Sequence, residues 1–399
     1  MNLRFTMSGD GDPAVRGPGM VDAATATIEG VDPLYLSAGV LAVVLLSVVG
    51  WLVVRWWRRP PGVRLQRVLA KREEVAILMH PNPDPDAMAC AMAVAAIADG
   101  VETETVLQYP GQIRHQENRA FRTVLDLDLE QIEAASELAA DDVVLVDHNT
   151  ARGFTGAEMI EPIAVVDHHP GNGAGTEFTD VRDEYGAAST IFVEYFQELG
   201  ATLETTVDDE ASGPIVSAMV ATGLLYGIQS DTNQLTKGCT EAEFAAAAWL
   251  FRGIDEDRLD RIANPQVSDD VLQTKATAIR NKRVDGSFAI CDVGEIDNVD
   301  AIPQAADELM HLEGVTAVVV FGENGGTLHL SGRSRDDRVH MGETLRSAVS
   351  DIPMSSAGGH ARMGGGQLSV DHMNGIGPSD GVSKDEFETR LLAALSGER

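Results

Sequence analysis

Apolar residues gather in this chain into short unbroken runs. Val75–Met79, Val143–Val146 and Ile163–Val166 are such runs, rich in Val and Ile, and runs of this kind read as strands buried on both faces of a parallel sheet. Between them the spacing turns helical. Residues 87–98 are almost wholly small or apolar, and the segment YGAASTIFVEYFQEL at 185–199 predicts a helix over 186–199. A helical connector is expected at 266–283, and TLHLSGR at 327–333 alternates as a half-exposed strand does. Strands interleaved with helices predict an α/β chain. We expect a parallel-sheet domain over 75–265 and a smaller C-terminal α/β domain over 284–372. Residues 373–399 are left as a C-terminal tail with an amphipathic helix.

One run is of another kind. Residues 34–54 carry no charge over a length that spans a bilayer as one helix. Tyr35, Trp51, Trp56 and Trp57 stand near its ends, where aromatic side chains anchor at the interface. Arg55, Arg58 and Arg59 follow it, whereas the charged residues of 1–33 are more acidic than basic. The run is too long and starts too late for a cleaved signal peptide. The positive-inside rule then predicts a single-pass membrane protein: 1–33 outside, 34–54 across, 55–74 a juxtamembrane linker, and the remainder in the cytoplasm.

Charge changes the picture further. The chain has 399 residues, long enough for two cores, with 62 acidic against 30 basic residues and a formal charge of −32. Lysine is confined to Lys71, Lys237, Lys275, Lys282 and Lys384. An acidic, lysine-poor surface resembles proteins of salt-loving archaea and speaks of solvation more than of partners. It argues against a broad nucleic-acid surface, which calls for a basic stripe. Cys90, Cys239 and Cys291 lie far apart without metal-like spacing, as reduced thiols do.

The candidate chemistry stands where the apolar runs stop. His80, Asp84 and Asp86 follow the first run within HPNPDPD; Asp147 ends the second; Asp167, His168 and His169 end the third; Asp231 comes later. In open α/β sheets ligands bind beyond the carboxyl ends of the strands. Imidazoles and carboxylates delivered there from separate segments make a metal site, and their number suggests two cations. Prolines at 81, 83 and 85 stiffen the first loop and preset the directions of His80, Asn82, Asp84 and Asp86.

These residues resemble the motifs of the DHH-superfamily phosphoesterases: HPNPDPDA at 80–87, VDHN at 146–149, VDHHP at 166–170 and SDTNQ at 230–234. SGRS at 331–334 and GGHARMGGG at 358–366 resemble the substrate-binding motifs of the DHH-associated C-terminal domain in its oligonucleotide-cleaving branch. Met363 stands where that family commonly has a small residue. The resemblance implies one metal on His80, Asp84 and Asp147, and a second on Asp86, Asp147, His168 and Asp231. Asp167 would fix a neighbouring histidine ring, with His169 and Asn82 near the reacting phosphate. Ser331, Arg333, Ser334, Gly358, Gly359 and His360 would bind substrate. The implied cofactors are two divalent ions, of which Mn2+ suits imidazole with carboxylate. The implied activity is hydrolysis of cyclic di-AMP, linear dinucleotides or short oligoribonucleotides by activated water. A RecJ-type single-strand exonuclease and a non-hydrolytic membrane-bound nucleotide sensor are the alternatives, and a homo-oligomer stays open.

Overall fold

The computed structural model describes residues 37, 41–49, 59–206, 213–336, 338–376 and 381–397. Of the apolar span 34–54, residues 37 and 41–49 are described and helical; the rest of it, and all of 1–33, lie outside the described residues. Among the described residues no helix is long and apolar enough to cross a membrane.

The first sheet contains β1 (Glu74–Leu78), β2 (Glu104–Pro110), β3 (Glu130–Ile132), β4 (Val143–Val146), β5 (Ala164–Asp167) and β6 (Phe178–Val181). Its order is β3-β2-β1-β4-β5-β6, and every pairing is parallel. The expected apolar runs are its central strands. Side chains alternate across β1: Val75 and Ile77 join the larger core, while Ala76 and Leu78 face a thinner layer with Leu145 and Val165.

The helices of the larger core are α1 (Pro61–Leu69), α2 (Pro85–Asp99), α3 (Gln116–Val124), α4 (Ala188–Glu198), α5 (Ala218–Asp231), α6 (Glu241–Leu250) and α7 (Glu256–Ala263). Small residues set their distances. A methyl group on Gly227 of α5 would lie 2.5 Å from Ser189 Oγ and 3.0 Å from Asp86 Oδ1, so this glycine lets α5 close on α2 and α4. Helix α1 lies within 55–74 and packs on this core: Leu65 and Leu69 are fully buried, and Gly62 packs against Tyr195.

Helix α8 (Asp269–Asn281) leads to a second α/β unit, where β7 (Arg283–Asp285), β8 (Phe288–Glu295), α9 (Ala301–Leu309), β9 (Ala317–Asn324), β10 (Thr327–Ser334), α10 (Met341–Val349), β11 (Ser356–Gly359) and β12 (Met363–Ser369) build a mixed sheet of order β11-β12-β10-β9-β8-β7. The C-terminal helix α11 (Lys384–Ser396) is part of this unit's core, not a separate tail. Phe387 is fully buried and meets Phe321 edge-on at 5.5 Å.

Candidate metal centre

The strand order reverses between β1 and β4, and the loops leaving these two strands open side by side. That reversal is the ligand-binding crevice of a parallel α/β sheet. His80 follows β1, and Asp147 follows β4 in a left-handed backbone conformation (φ 58°). A non-glycine residue held there carries strain that surrounding structure must maintain. Here the Asp147 N–H donates to Val166 O at 2.9 Å, tying the end of β4 to β5.

Asp147 is fully buried, with Oδ2 at 3.4 Å from His80 Nε2 and Oδ1 at 3.3 Å from His168 Nε2. His80 Nε2 also lies 3.5 Å from Asp84 Oδ2, and His168 Nε2 lies 3.4 Å from Asp231 Oδ2. Both Asp147 oxygens and His168 Nε2 are buried without a hydrogen-bond partner. Such separations suit a shared cation, because two ligands each about 2.1 Å from one ion and about 105° apart lie about 3.3 Å from each other.

The tautomers agree. His80 Nδ1–H donates to Pro81 O at 3.0 Å and His168 Nδ1–H to Tyr185 O at 3.1 Å, which turns each Nε2 lone pair toward carboxylates. Burial alone would lower both imidazole pKa values, but it is outweighed. Asp147 and Asp84 push His80 up to about 11, and Asp147 and Asp231 push His168 up to about 12. The cluster demands positive charge at both nitrogens. Burial likewise pushes the Asp231 carboxyl up to about 6, with Asp84 and Asp147 adding to it and His168 opposing. Asp231 ends α5, where the helix dipole also disfavours a carboxylate.

Asp84 and Asp86 are held from behind. Asp84 caps α2, accepting the Ala87 N–H through Oδ1 at 3.1 Å, and Pro85 occupies the first turn. Asp86 is fully buried and accepts N–H groups from Ala188 (2.6 Å) and Ser189 (2.9 Å) at the start of α4. Burial and the charges of Asp147 and Asp231 still raise its pKa well above the ordinary carboxylate value. Asp167 is saturated: Oδ1 accepts from the His168 and His169 amides and from His169 Nδ1 at 2.9 Å, and Oδ2 accepts Asn149 Nδ2 at 2.7 Å. His169 is therefore oriented by Asp167, with its ring 54% exposed. The potential ligand atoms form three groups with separations within 4.8 Å: His80-Asp84-Asp147, Asp86-His168-Asp231 and Asp147-His168-His169. The donor set fits divalent cations.

Other residues fall elsewhere. Asn82, at φ 57°, accepts the Gln112 N–H at 2.8 Å and so pins the first loop to the end of β2. Asn118 is buried and donates to Pro83 O at 2.9 Å. Arg119 pairs with Asp300 at 3.1 Å. In the second unit, Arg333 reaches Asp307 with Nε at 2.6 Å and Nη2 at 3.3 Å, and Nη1 donates to Ser331 Oγ at 3.0 Å. Ser334 Oγ bonds to the Asp336 backbone. Gly358 and Gly359 lie in β11, and Gly359 adopts φ 141°, where a methyl group would come within 2.3 Å of Met363 O. His360 follows β11 and is exposed. Among the described residues no hydrogen bond or ion pair joins these second-unit residues to the metal cluster.

Two contributors went unassigned in the sequence although their motif was read. His148 is buried, donates Nδ1–H to Val146 O at 2.8 Å and meets the His80 ring edge-on at 6.4 Å. Burial lowers its pKa to about 4 and keeps it neutral. Asn149 holds Asp167 and, at 3.2 Å, the His169 carbonyl.

An α/β sheet presenting buried carboxylates and imidazoles at its switch point offers donor groups that could hold a metal ion. Residues 74–228 match the DHH family, N-terminal domain, and residues 285–376 match the DHHA1 domain. An uncharacterized protein of Methanocaldococcus jannaschii, MJ1633, is 33% identical over 318 residues, covering 79% of this chain and 62% of that protein. The cyclic-di-AMP phosphodiesterase GdpP of Geobacillus thermodenitrificans is 29% identical over 216 residues, covering 51% of this chain and 31% of that protein. The chain thus spans less than two thirds of the length of either relative. A solved exopolyphosphatase-related protein from Bacteroides fragilis shares the fold, with a TM-score of 0.62 at 15% identity over 84% of this chain and 95% of that one. The chain thus carries one region matching a DHH N-terminal domain and another matching a DHHA1 domain.

Proposed function

We propose that this protein hydrolyses small nucleotides, namely cyclic di-AMP, linear dinucleotides or short oligoribonucleotides, with two Mn2+ ions sharing Asp147. The observation that carries this reading is Asp147 itself: fully buried, both oxygens without a hydrogen bond, and each facing a different imidazole. His80 and Asp84 would complete one site, and Asp86, His168 and Asp231 the other. Bound cations would polarise the phosphodiester and activate water for attack. His169, oriented by Asp167 and open to solvent, would meet the phosphate or give a proton to the leaving oxygen. The hydrogen bond that His169 donates to Asp167 raises its pKa, which favours the protonated ring that such a role needs. The second unit would hold the nucleotide through Arg333, His360 and the Gly358-Gly359 backbone, with Arg333 exchanging Asp307 for substrate.

The preference for a small substrate draws on the similarity to GdpP and on the formal charge of −32, which disfavours a long polyanion. A panel of cyclic di-AMP, its linear dinucleotide, short RNA and long single-stranded DNA, incubated with the full chain and Mn2+ in high salt, tests it. Dinucleotide cleavage supports the proposal. Preferential degradation of long DNA would point to an exonuclease, and binding without turnover to a sensor.

We also propose that residues 34–54 anchor the chain in a membrane with the metal domain in the cytoplasm. Its support is the exposed apolar surface of Leu41, Val43, Val44, Leu45, Leu46, Val48 and Val49, flanked by Arg55, Arg58 and Arg59. A cysteine probe placed before residue 33 should label from outside intact cells, and one after residue 60 should not.

A further inference from the structure

Resting on the metal-site reading above, we infer that Glu243, which is itself no proposed ligand, is a positioning residue for one of the two cations only. The argument starts from the segment Tyr185–Ser189. Its backbone serves two proposed ligands at once: Tyr185 O accepts His168 Nδ1–H at 3.1 Å, while the Ala188 and Ser189 amides donate to Asp86 at 2.6 and 2.9 Å. Both belong to the group Asp86-His168-Asp231. None of these contacts reaches His80 or Asp84.

The middle of this segment is fixed from α6. Glu243 is fully buried, and its Oε1 accepts the Gly186 N–H at 3.0 Å. Its Oε2 accepts the Thr240 N–H at 2.6 Å and Oγ–H at 2.7 Å, closing the capping box that starts α6. One carboxylate therefore joins a helix start to the segment that aims His168 and Asp86. Gly186 is pressed against the third member's neighbourhood: a methyl group there would lie 2.6 Å from Gly238 O and 2.9 Å from Thr232 Cγ2, with Thr232 next to Asp231. Partners that orient metal ligands typically change metal affinity by about 10–100-fold when removed.

The test separates capping from positioning. Glu243→Gln keeps the volume but can accept only one of the two amides, since its NH2 group faces the other as a donor. Glu243→Asp keeps the charge at the helix start but is too short to span both Thr240 and Gly186. Thr240→Ala weakens the cap while leaving the Gly186 contact. Mn2+ titration calorimetry on the full chain, with thermal melts alongside, should show two binding events in the wild type. One event should weaken about 10–100-fold in both Glu243 variants and the other stay unchanged. Thr240→Ala should lower the melting temperature and leave both events intact. Equal weakening of both events, unchanged binding in the Glu243 variants, or failure of both to fold would overturn the inference. A wild type that binds no Mn2+ would instead sink the metal-site reading itself.

Discussion

Replacing Asp147 by Asn probes the shared ligand with little disturbance of the fold. The residue sits at φ 58°, a conformation in which Asn is at least as comfortable as Asp, so the backbone supplies no penalty. The volume is unchanged, but one oxygen becomes an NH2 group aimed at an imidazole 3.3–3.4 Å away. On the two-cation proposal, each cation then loses a charged ligand. A cation at one hundred times its dissociation constant stabilises the folded state by about 2.7 kcal/mol per site, hence by about 5 kcal/mol for two. If the substitution weakens each site by about 100-fold, the same Mn2+ concentration yields about 0.4 kcal/mol per site, or about 0.8 kcal/mol in all. Urea unfolding with and without Mn2+ reads this difference directly. The expected result is a large Mn2+-induced shift of the midpoint in the wild type and a small one in Asp147→Asn, with turnover lost. An equal shift in both proteins would refute the shared-ligand argument.

Proton release follows from the imidazoles. With His80 pushed up to about 11 and His168 to about 12, both rings are charged near neutral pH. Each Nε2 must give up a proton to bind a cation, so titration near pH 7 in buffers of differing ionisation enthalpy should report net proton release on binding. Affinity should rise steadily from about pH 6 to about pH 9, because the raised pKa values keep protons competing across that range; a flat profile would contradict cations at these nitrogens. In the second unit, Arg333→Ala should lower kcat/KM on a dinucleotide by about 2–4 kcal/mol, with metal content unchanged and little loss on a chromogenic phenyl phosphodiester. Equal losses on both substrates would place Arg333 at the reacting phosphate, and no loss on either would confine it to its pair with Asp307.

The central strands and the chemistry at their ends were legible because they obey simple rules. β1, β4 and β5 are buried on both faces and read as unbroken apolar runs, and His80, Asp147 and Asp167 stand where those runs end. β2, β3 and β6 were not legible: Glu104–Pro110 and Phe178–Val181 carry polar residues on partly exposed faces, and Glu130–Ile132 is too short to show a period. Helix α11 was seen as amphipathic, but nothing in its spacing says that Phe387 docks against Phe321. The supporting half of the site escaped for a different reason. The Tyr185 carbonyl and the Ala188 and Ser189 amides are backbone groups, and backbone groups leave no residue-type signature. Glu243 reads as an ordinary capping-box residue because Thr240 precedes it by three positions. The buried contact of Asn118, Pro83 O, is likewise a main-chain oxygen.

The most direct measurement is a diffraction experiment on crystals of the protein grown with Mn2+, with data collected at the manganese absorption edge. Two anomalous peaks are predicted, both in contact with Asp147, one also with His80 and Asp84 and the other with Asp86, His168 and Asp231. A single peak, or peaks that leave Asp147 untouched, would contradict the account.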